Sequence, residues 1–227
     1  MRQALNYAVN KDLIIKSILF GAATRMDAPM ASSLFGYCKV GAYDYNPDKA
    51  KQLLASVGAS NLSIKFIAPT GRYIQDFQAA QAIANDLTAV GVKVEGPRTM
   101  DWPSYLGTIN VAPAKASVDL HLLGWAPGYL DASQAMVQFQ FSSRPPAGLA
   151  TSYYSNPQVE TLLAKANSES DPAARQADYC AASKQIWADA PWIFLWVQNF
   201  PIVTSSKVTG VQTIPNESFY TVYAAPA

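Results

Sequence analysis

The stretch from Leu62 to Glu95 constrains the fold more than any other. Leu62-Ser63-Ile64-Lys65-Phe66-Ile67-Ala68 alternates like a strand, Pro69-Thr70-Gly71-Arg72 turns the chain, and a long helix runs on to Val90. Phe77, Ala80, Ile83, Ala84 and Leu87 recur at spacings of three and four, which places them on one helix face. Gly91 ends the helix and Val92-Lys93-Val94-Glu95 returns as a second strand. Strand, helix and strand at this spacing make a βαβ unit, with a parallel pair and a right-handed crossover expected.

Helices and strands alternate on either side of this unit. Residues 2–20 read as two short helices broken at Asn10-Lys11-Asp12, with Ala4, Leu5, Ala8 and Val9, then Leu13, Ile14, Ser17 and Ile18, as inner faces. Residues 22–45 are a long loop. Asn46-Pro47, Asn156-Pro157 and Asp171-Pro172 each pair a capping side chain with proline at the first helical position. They open helices at 47–57, 157–167 and 172–189, the first burying Ala50, Leu53, Leu54 and Val57 and the last Tyr179, Ala182, Ile186 and Trp187. Asp101-Trp102-Pro103 starts a shorter one. A strand is expected over 117–124, a helix from Asp131 to about Phe141, and an aromatic strand region from Pro191 to Val203. The tail, 204–227, reads as short extended pieces. The fold class is α/β, with mixed α+β as the alternative.

Composition narrows the partners. Charged residues make up only 15% of the chain, with 17 basic and 16 acidic side chains and a net charge of +1. Neither a nucleic-acid footprint nor a polybasic membrane patch fits that balance, whereas neutral small molecules or peptides do. No apolar run is long enough to span a bilayer, and the first residues lack the basic and apolar blocks of a secretory signal. The protein is therefore cytoplasmic, or a leader has been removed. Cys38 and Cys180 form either one disulfide or two free thiols, with Cys180 placed to act as a small buried residue. A single histidine argues against a conventional zinc site, and no cofactor is expected.

Catalytic constellations are not evident. There is no nucleophile elbow or phosphate-binding glycine loop, and His121 sits among leucines as a structural residue. What stands out is aromatic and polar chemistry on loops: Arg72 and Tyr73 after one strand, Trp125 and Tyr129 after another, and Tyr153 beside Tyr154. Arginine can grip a carboxylate through two hydrogen bonds, and Trp and Tyr offer flat faces with a polar edge. Each also has a plainer reading, Trp125 as core and Arg72 as a solvated turn residue. If these loops share one edge of the sheet, they form a concave binding surface without a catalytic centre.

Several segments, in order, resemble the bacterial extracytoplasmic solute-binding proteins of family 5, the peptide and nickel receptors of ABC importers. Arg2-Gln3-Ala4-Leu5-Asn6-Tyr7-Ala8-Val9-Asn10-Lys11-Asp12 is similar to a characteristic helix of that family. Tyr45-Asn46-Pro47-Asp48-Lys49-Ala50, Gly71-Arg72-Tyr73, the 83–94 helix-Gly-strand, Gly124-Trp125, Tyr154-Ser155-Asn156-Pro157 and Ala190-Pro191-Trp192-Ile193 follow in the same order. The resemblance covers only the C-terminal part of such receptors. It implies that residues 1–203 are the second lobe of a two-lobed periplasmic-binding-protein clamp, and that 204–227 return toward a first lobe.

The same resemblance implies a substrate-binding lobe that captures a peptide, an opine or a similar small solute outside the cytoplasmic membrane and delivers it to a permease, without chemistry on the solute. Relatives are periplasmic, or lipid-anchored in Gram-positive bacteria. Ligand contacts are expected from Trp125, Tyr129, Arg72, Tyr73 and Tyr153. In peptide binders of the family an Asp three residues after the Trp holds the ligand's α-amino group; here that position is Gly128. Asp131 is expected to cap the following helix instead. An α/β hydrolase or transferase and a ligand-sensing domain are the alternatives.

Overall fold

The computed structural model describes residues 1–227. Its centre is a three-stranded sheet in the order β3-β2-β4, formed by β2 (Ser63–Pro69), β3 (Lys93–Met100) and β4 (Leu120–His121), all parallel. Before them come α1 (Arg2–Ala8), α2 (Lys11–Ser17), β1 (Ala23–Arg25) and α3 (Pro47–Ser56). Helix α4 (Asp76–Ala89) links β2 to β3 as the βαβ reading requires, burying Ala80, Ile83, Ala84 and Leu87. Gly96 occupies the irregularity in the β2–β3 ladder. Its φ is +124°, and a Cβ there would meet the Phe66 carbonyl oxygen at 2.3 Å, so only glycine lets the two strands approach.

Helix α5 (Trp102–Ile109) precedes β4, and α6 (Ala132–Ala135), α7 (Pro157–Ser168) and α8 (Pro172–Asp189) follow it. The expected caps form: Asn46, Asn156, Asp171 and Asp101 each accept an amide hydrogen bond from the first turn of their helix. The chain then returns in β5 (Trp196–Gln198), which pairs antiparallel with β1. The tail carries β6 (Val208–Thr209), β7 (Gln212–Ile214), β8 (Ser218–Tyr220) and β9 (Ala225–Pro226), paired β7–β8 and β6–β9. No helix is long and apolar enough to cross a membrane.

Some expectations need correction. Of the 117–124 strand only Leu120–His121 enters the ladder, extended by amide bonds from Asp119 to Lys65 and from Leu122 to Ile67. The helix expected to Phe141 is a single α turn that tightens into 3-10 turns at Met136–Phe139 and Phe141–Ser143. Three residues per turn set Met136 and Phe139 above one another, and both are fully buried. Within 191–203 only Trp196–Gln198 is strand, because Trp192 and Phe194 leave the ladder to pack as rings. On the helices, Phe77, Leu13 and Val57 lie outside their expected faces and are exposed; Leu19 is the buried residue that closes α2.

Two large clusters of buried side chains result. One contains β2 and the inner faces of α1, α2, α3 and α4; the other contains α6, α7, α8 and part of the 22–45 loop. The loop is fastened by a disulfide between Cys38 and Cys180, whose Cα atoms are 5.5 Å apart. Of the two open possibilities for these cysteines, the crosslink is the one realised. Gln176 adds two bonds, accepting from Gly36 N at 3.0 Å and donating to the Tyr37 carbonyl at 2.6 Å. Across the seam between clusters, Asn6 donates to the Trp192 carbonyl and accepts from Phe194 N. Buried Lys11 donates to the carbonyls of Asn6 and Tyr43 at 2.6 and 3.2 Å. The Asn and Lys of the N-terminal motif thus hold the fold together rather than face a ligand.

Candidate functional site

The turn after β2 is built around Asp76. Its carboxylate accepts from the amides of Arg72 at 2.8 Å, Tyr73 at 3.2 Å and Phe77 at 2.9 Å, which ties the turn to the first residues of α4. So fixed, Tyr73 projects its hydroxyl to the neighbouring turn, where it accepts from Gly124 N at 2.8 Å. Burial pushes that hydroxyl's pKa up, keeping it a neutral partner. A Cβ on residue 124 would lie 2.9 Å from the Tyr73 ring, so the glycine before Trp125 is the condition for this contact.

Trp125 follows directly, 37% exposed, its indole N–H reaching the Gln134 carbonyl at 3.3 Å. Gln134 also accepts from Gly128 N at 3.0 Å through its side chain. Position 128 therefore carries no side chain and meets a neutral carboxamide. The Gly128 carbonyl accepts in turn from Asn216, and Glu217 pairs with Arg72 at 3.2 Å, so the β7–β8 hairpin tip touches both turns.

Trp125, Tyr73 and Tyr153 all line one cleft of about 940 Å³ between the two buried clusters, joined by Trp192 and Trp196. That volume suits a small solute. Tyr153 stands at φ +52°, its hydroxyl donating to the Val111 carbonyl at 2.8 Å and its own carbonyl held by Arg144.

Arg72 and Tyr129 do not line this cleft. The Arg72 guanidinium lies over the rings of Tyr73 and Trp102, 4.8 and 5.4 Å from their centres. The Tyr129 hydroxyl lies 3.2 Å from Ser133 Oγ, and its ring is mostly exposed. Asp131 caps α6 through Ser133 N at 2.8 Å and is gripped by both terminal nitrogens of Arg175 at 2.7 and 2.8 Å. Burial raises its pKa, but the Arg175 guanidinium and the Ser133 amide outweigh burial and hold it below the usual carboxylate range.

His121 borders the cleft with Nε2 2.8 Å from Thr151 Oγ1. Burial lowers its pKa to about 4, so the ring is neutral at pH 7. The acidic groups at the cleft are engaged already: Asp27 by the Tyr37 hydroxyl, Asp76 by three amides, Asp119 by Lys65 N and Glu217 by Arg72. No three His, Cys, Asp or Glu side chains converge on a common point for a metal ion. Asp76 and Gln134 were not singled out in the sequence. An acidic residue in the first turn of the long helix is the local signal for the first; nothing local marks the second.

Comparison with known proteins gives consistent results. The model of the family described as bacterial extracellular solute-binding proteins, family 5 Middle, matches residues 1–146. The glutathione-binding protein GsiB of Pectobacterium atrosepticum is 36% identical over 221 residues, 96% of this chain and 43% of that protein. Among solved structures, HbpA2 from Haemophilus parasuis superposes with a TM-score of 0.84 at 20% identity, covering 100% of this chain and 44% of that one. DppA from Helicobacter pylori, in complex with peptide STSA, gives 0.80 at 23% identity, covering 99% and 43%. These structures share the mixed α/β fold. The chain spans less than half the length of the relatives it matches.

Proposed function

The chain belongs to the bacterial extracellular solute-binding proteins, family 5, and from that premise we propose that it is the solute-capturing second lobe of an ABC importer receptor. In this reading residues 1–203 form the lobe and 204–227 return toward a first lobe, which supplies the opposite wall of the cleft. Solute favours the closed arrangement of the two lobes, and the closed form is presented to a permease outside the cytoplasmic membrane. The reading includes no chemistry on the solute.

The observation that carries it is the cleft itself, where Trp125, Tyr73 and Tyr153 come together on turns fixed from behind by Asp76 and Gly124. Flat aromatic walls with few unengaged charges suit a peptide-like solute held by stacking and neutral hydrogen bonds. Arg72 and Tyr129, outside the cleft wall, act as supports of the two turns rather than as ligand contacts.

Glutathione is the first candidate, supported by the name and 36% identity of the Pectobacterium relative. Its first peptide bond runs through a side-chain carboxyl, so its α-amino group is not at the end of an α-linked backbone. A receptor with Gly128 in place of the amine-holding Asp tolerates that arrangement. The test is a tryptophan-fluorescence titration of the full-length receptor with glutathione and with α-linked tripeptides, followed by mass spectrometry of the recovered solute. Saturable change with glutathione, unaltered on recovery, is expected. Preferential binding of α-linked tripeptides, or turnover of the solute, would overturn the proposal.

A further inference from the structure

Two hydrogen-bonding groups at the cleft have no partner within the protein. Gln138, only 3% exposed, lines the cleft, and its Nε2 is unbonded. Ser152 lines the same cleft, and its buried Oγ is unbonded too. The other unpartnered side-chain atoms, on Asp178 and Ser183, belong to α8 and stand apart from the cleft wall. Buried polar groups are nearly always satisfied, so a pair of orphans on one ligand-sized cleft calls for a reason.

Their surroundings are fixed, and the Arg144 guanidinium beside them is engaged by the carbonyls of Tyr153 and Tyr154. Thr151, next to Ser152, is buried and bonded to the neutral His121 ring. Tyr153, on the other side, holds its left-handed φ because its hydroxyl and carbonyl are both tied down. Non-glycine residues persist in that conformation only where neighbours enforce it, and such positions gather at ligand clamps. Phe139, beside Gln138, packs against Tyr154 and Trp192, which brings the 3-10 turn and the 151–154 segment into one layer.

We infer that Gln138 and Ser152 form a neutral subsite for a backbone amide of the solute, Gln138 donating to its carbonyl oxygen. The subsite rests on the solute-receptor reading and specifies which part of a peptide this lobe recognises. Neither side chain offers a counter-charge to a charged end, whereas an amide matches a carboxamide and a hydroxyl donor for acceptor. Nε2 is buried as it stands, so contact with solute requires the carboxamide to turn about its last torsion, which is broad and nearly two-fold.

The experiment uses the full-length receptor, its Gln138→Met and Ser152→Ala variants, and glutathione as the probe. Calorimetric titration is expected to show about tenfold weaker binding for Gln138→Met and about threefold for Ser152→Ala. Thermal midpoints are expected to be unchanged or higher, because neither substitution removes a bond that the unliganded protein makes. Unchanged glutathione affinity in both variants, with the parent binding normally, would overturn the subsite alone. Lowered midpoints would assign the two side chains a structural role and overturn it as well. A parent receptor that ignores glutathione but binds another solute would instead break the glutathione reading, and the same two variants titrated with that solute decide the subsite.

Discussion

The core beneath β2 and the core around α8 contain 20 and 17 buried residues, so size does not distinguish them. Their means of assembly does. The first is built from regular elements whose apolar residues repeat with the period of the element: Ala80, Ile83, Ala84 and Leu87 on α4, Ile64 and Phe66 on β2. Most of its backbone groups are satisfied inside a helix or a ladder. The second must incorporate much of the irregular 22–45 segment, whose backbone between Met26 and Tyr45 makes a single β-bridge, Phe35 to Asp131. It relies on individual fasteners: the Cys38–Cys180 bond, the Gln176 carboxamide, the Tyr43 hydroxyl on the Trp187 carbonyl, and the Asp131–Arg175 pair. Regular structure spreads stability over many equivalent contacts, whereas a fastened loop concentrates it in a few.

The comparison can be broken most directly at the disulfide. It closes a separation of 142 residues, and replacing both cysteines by serine is expected to cost about 4–5 kcal/mol in urea unfolding. Hydrogen exchange should rise first in residues 22–45; equal loss of protection in β2 and α4 would show that the two cores are one unit. Next, Leu87→Ala removes a fully buried side chain from the regular core. About 3 kcal/mol is expected to be lost, with the exchange pattern reversed.

Lys11, at the seam, tests coupling through pH. Burial above all, with the Arg25 charge adding and Asp12 and Asp44 opposing, lowers its pKa from 10.5 to about 8. Between those values the unfolded chain keeps a proton that the folded chain has released. Stability relative to Lys11→Met is therefore expected to rise from pH 8 toward 10.5, by up to about 3 kcal/mol. A flat difference across that interval would refute the burial argument. Asp131→Ala, read by chemical unfolding, is expected to cost about 2 kcal/mol, since it takes away a cap and leaves Arg175 half-buried without its partner. The smallest effect is predicted for Tyr73→Phe, which removes the bond to Gly124 N. Stability is expected to change by about 1 kcal/mol or less, while solute affinity, read by Trp125 fluorescence, falls about threefold.

The same contrast explains what could be read from the chain alone. The βαβ unit, the four caps and the buried face of α8 follow from short-range rules, and each is present as expected. The Asp131 cap was legible for the same reason, but its second partner, Arg175, lies 44 residues away and no local pattern announces it. Phe77 carried the correct spacing yet stays exposed, because it sits in the first turn of α4, beside the turn that Asp76 holds rather than the sheet. At the cleft, the aromatic turns could be recognised as candidates, and Trp125, Tyr73 and Tyr153 do meet there. The separation of Arg72 and Tyr129 from that wall was not legible, since it depends on the tail hairpin and on Ser133 reaching back across a turn.

The disulfide also sets an order in time. Chains are synthesised at about 5–20 residues per second, so Cys180 follows Cys38 by roughly 7–28 seconds. By the end of that interval the three-stranded sheet has every residue it needs, while the 22–45 segment has waited with an unpaired thiol for the helix that carries its partner. Any other thiol met during the wait competes for Cys38. The 22–45 segment, part of which lines the cleft, is thus secured only after the central sheet is complete, and it depends most on the company the nascent chain keeps.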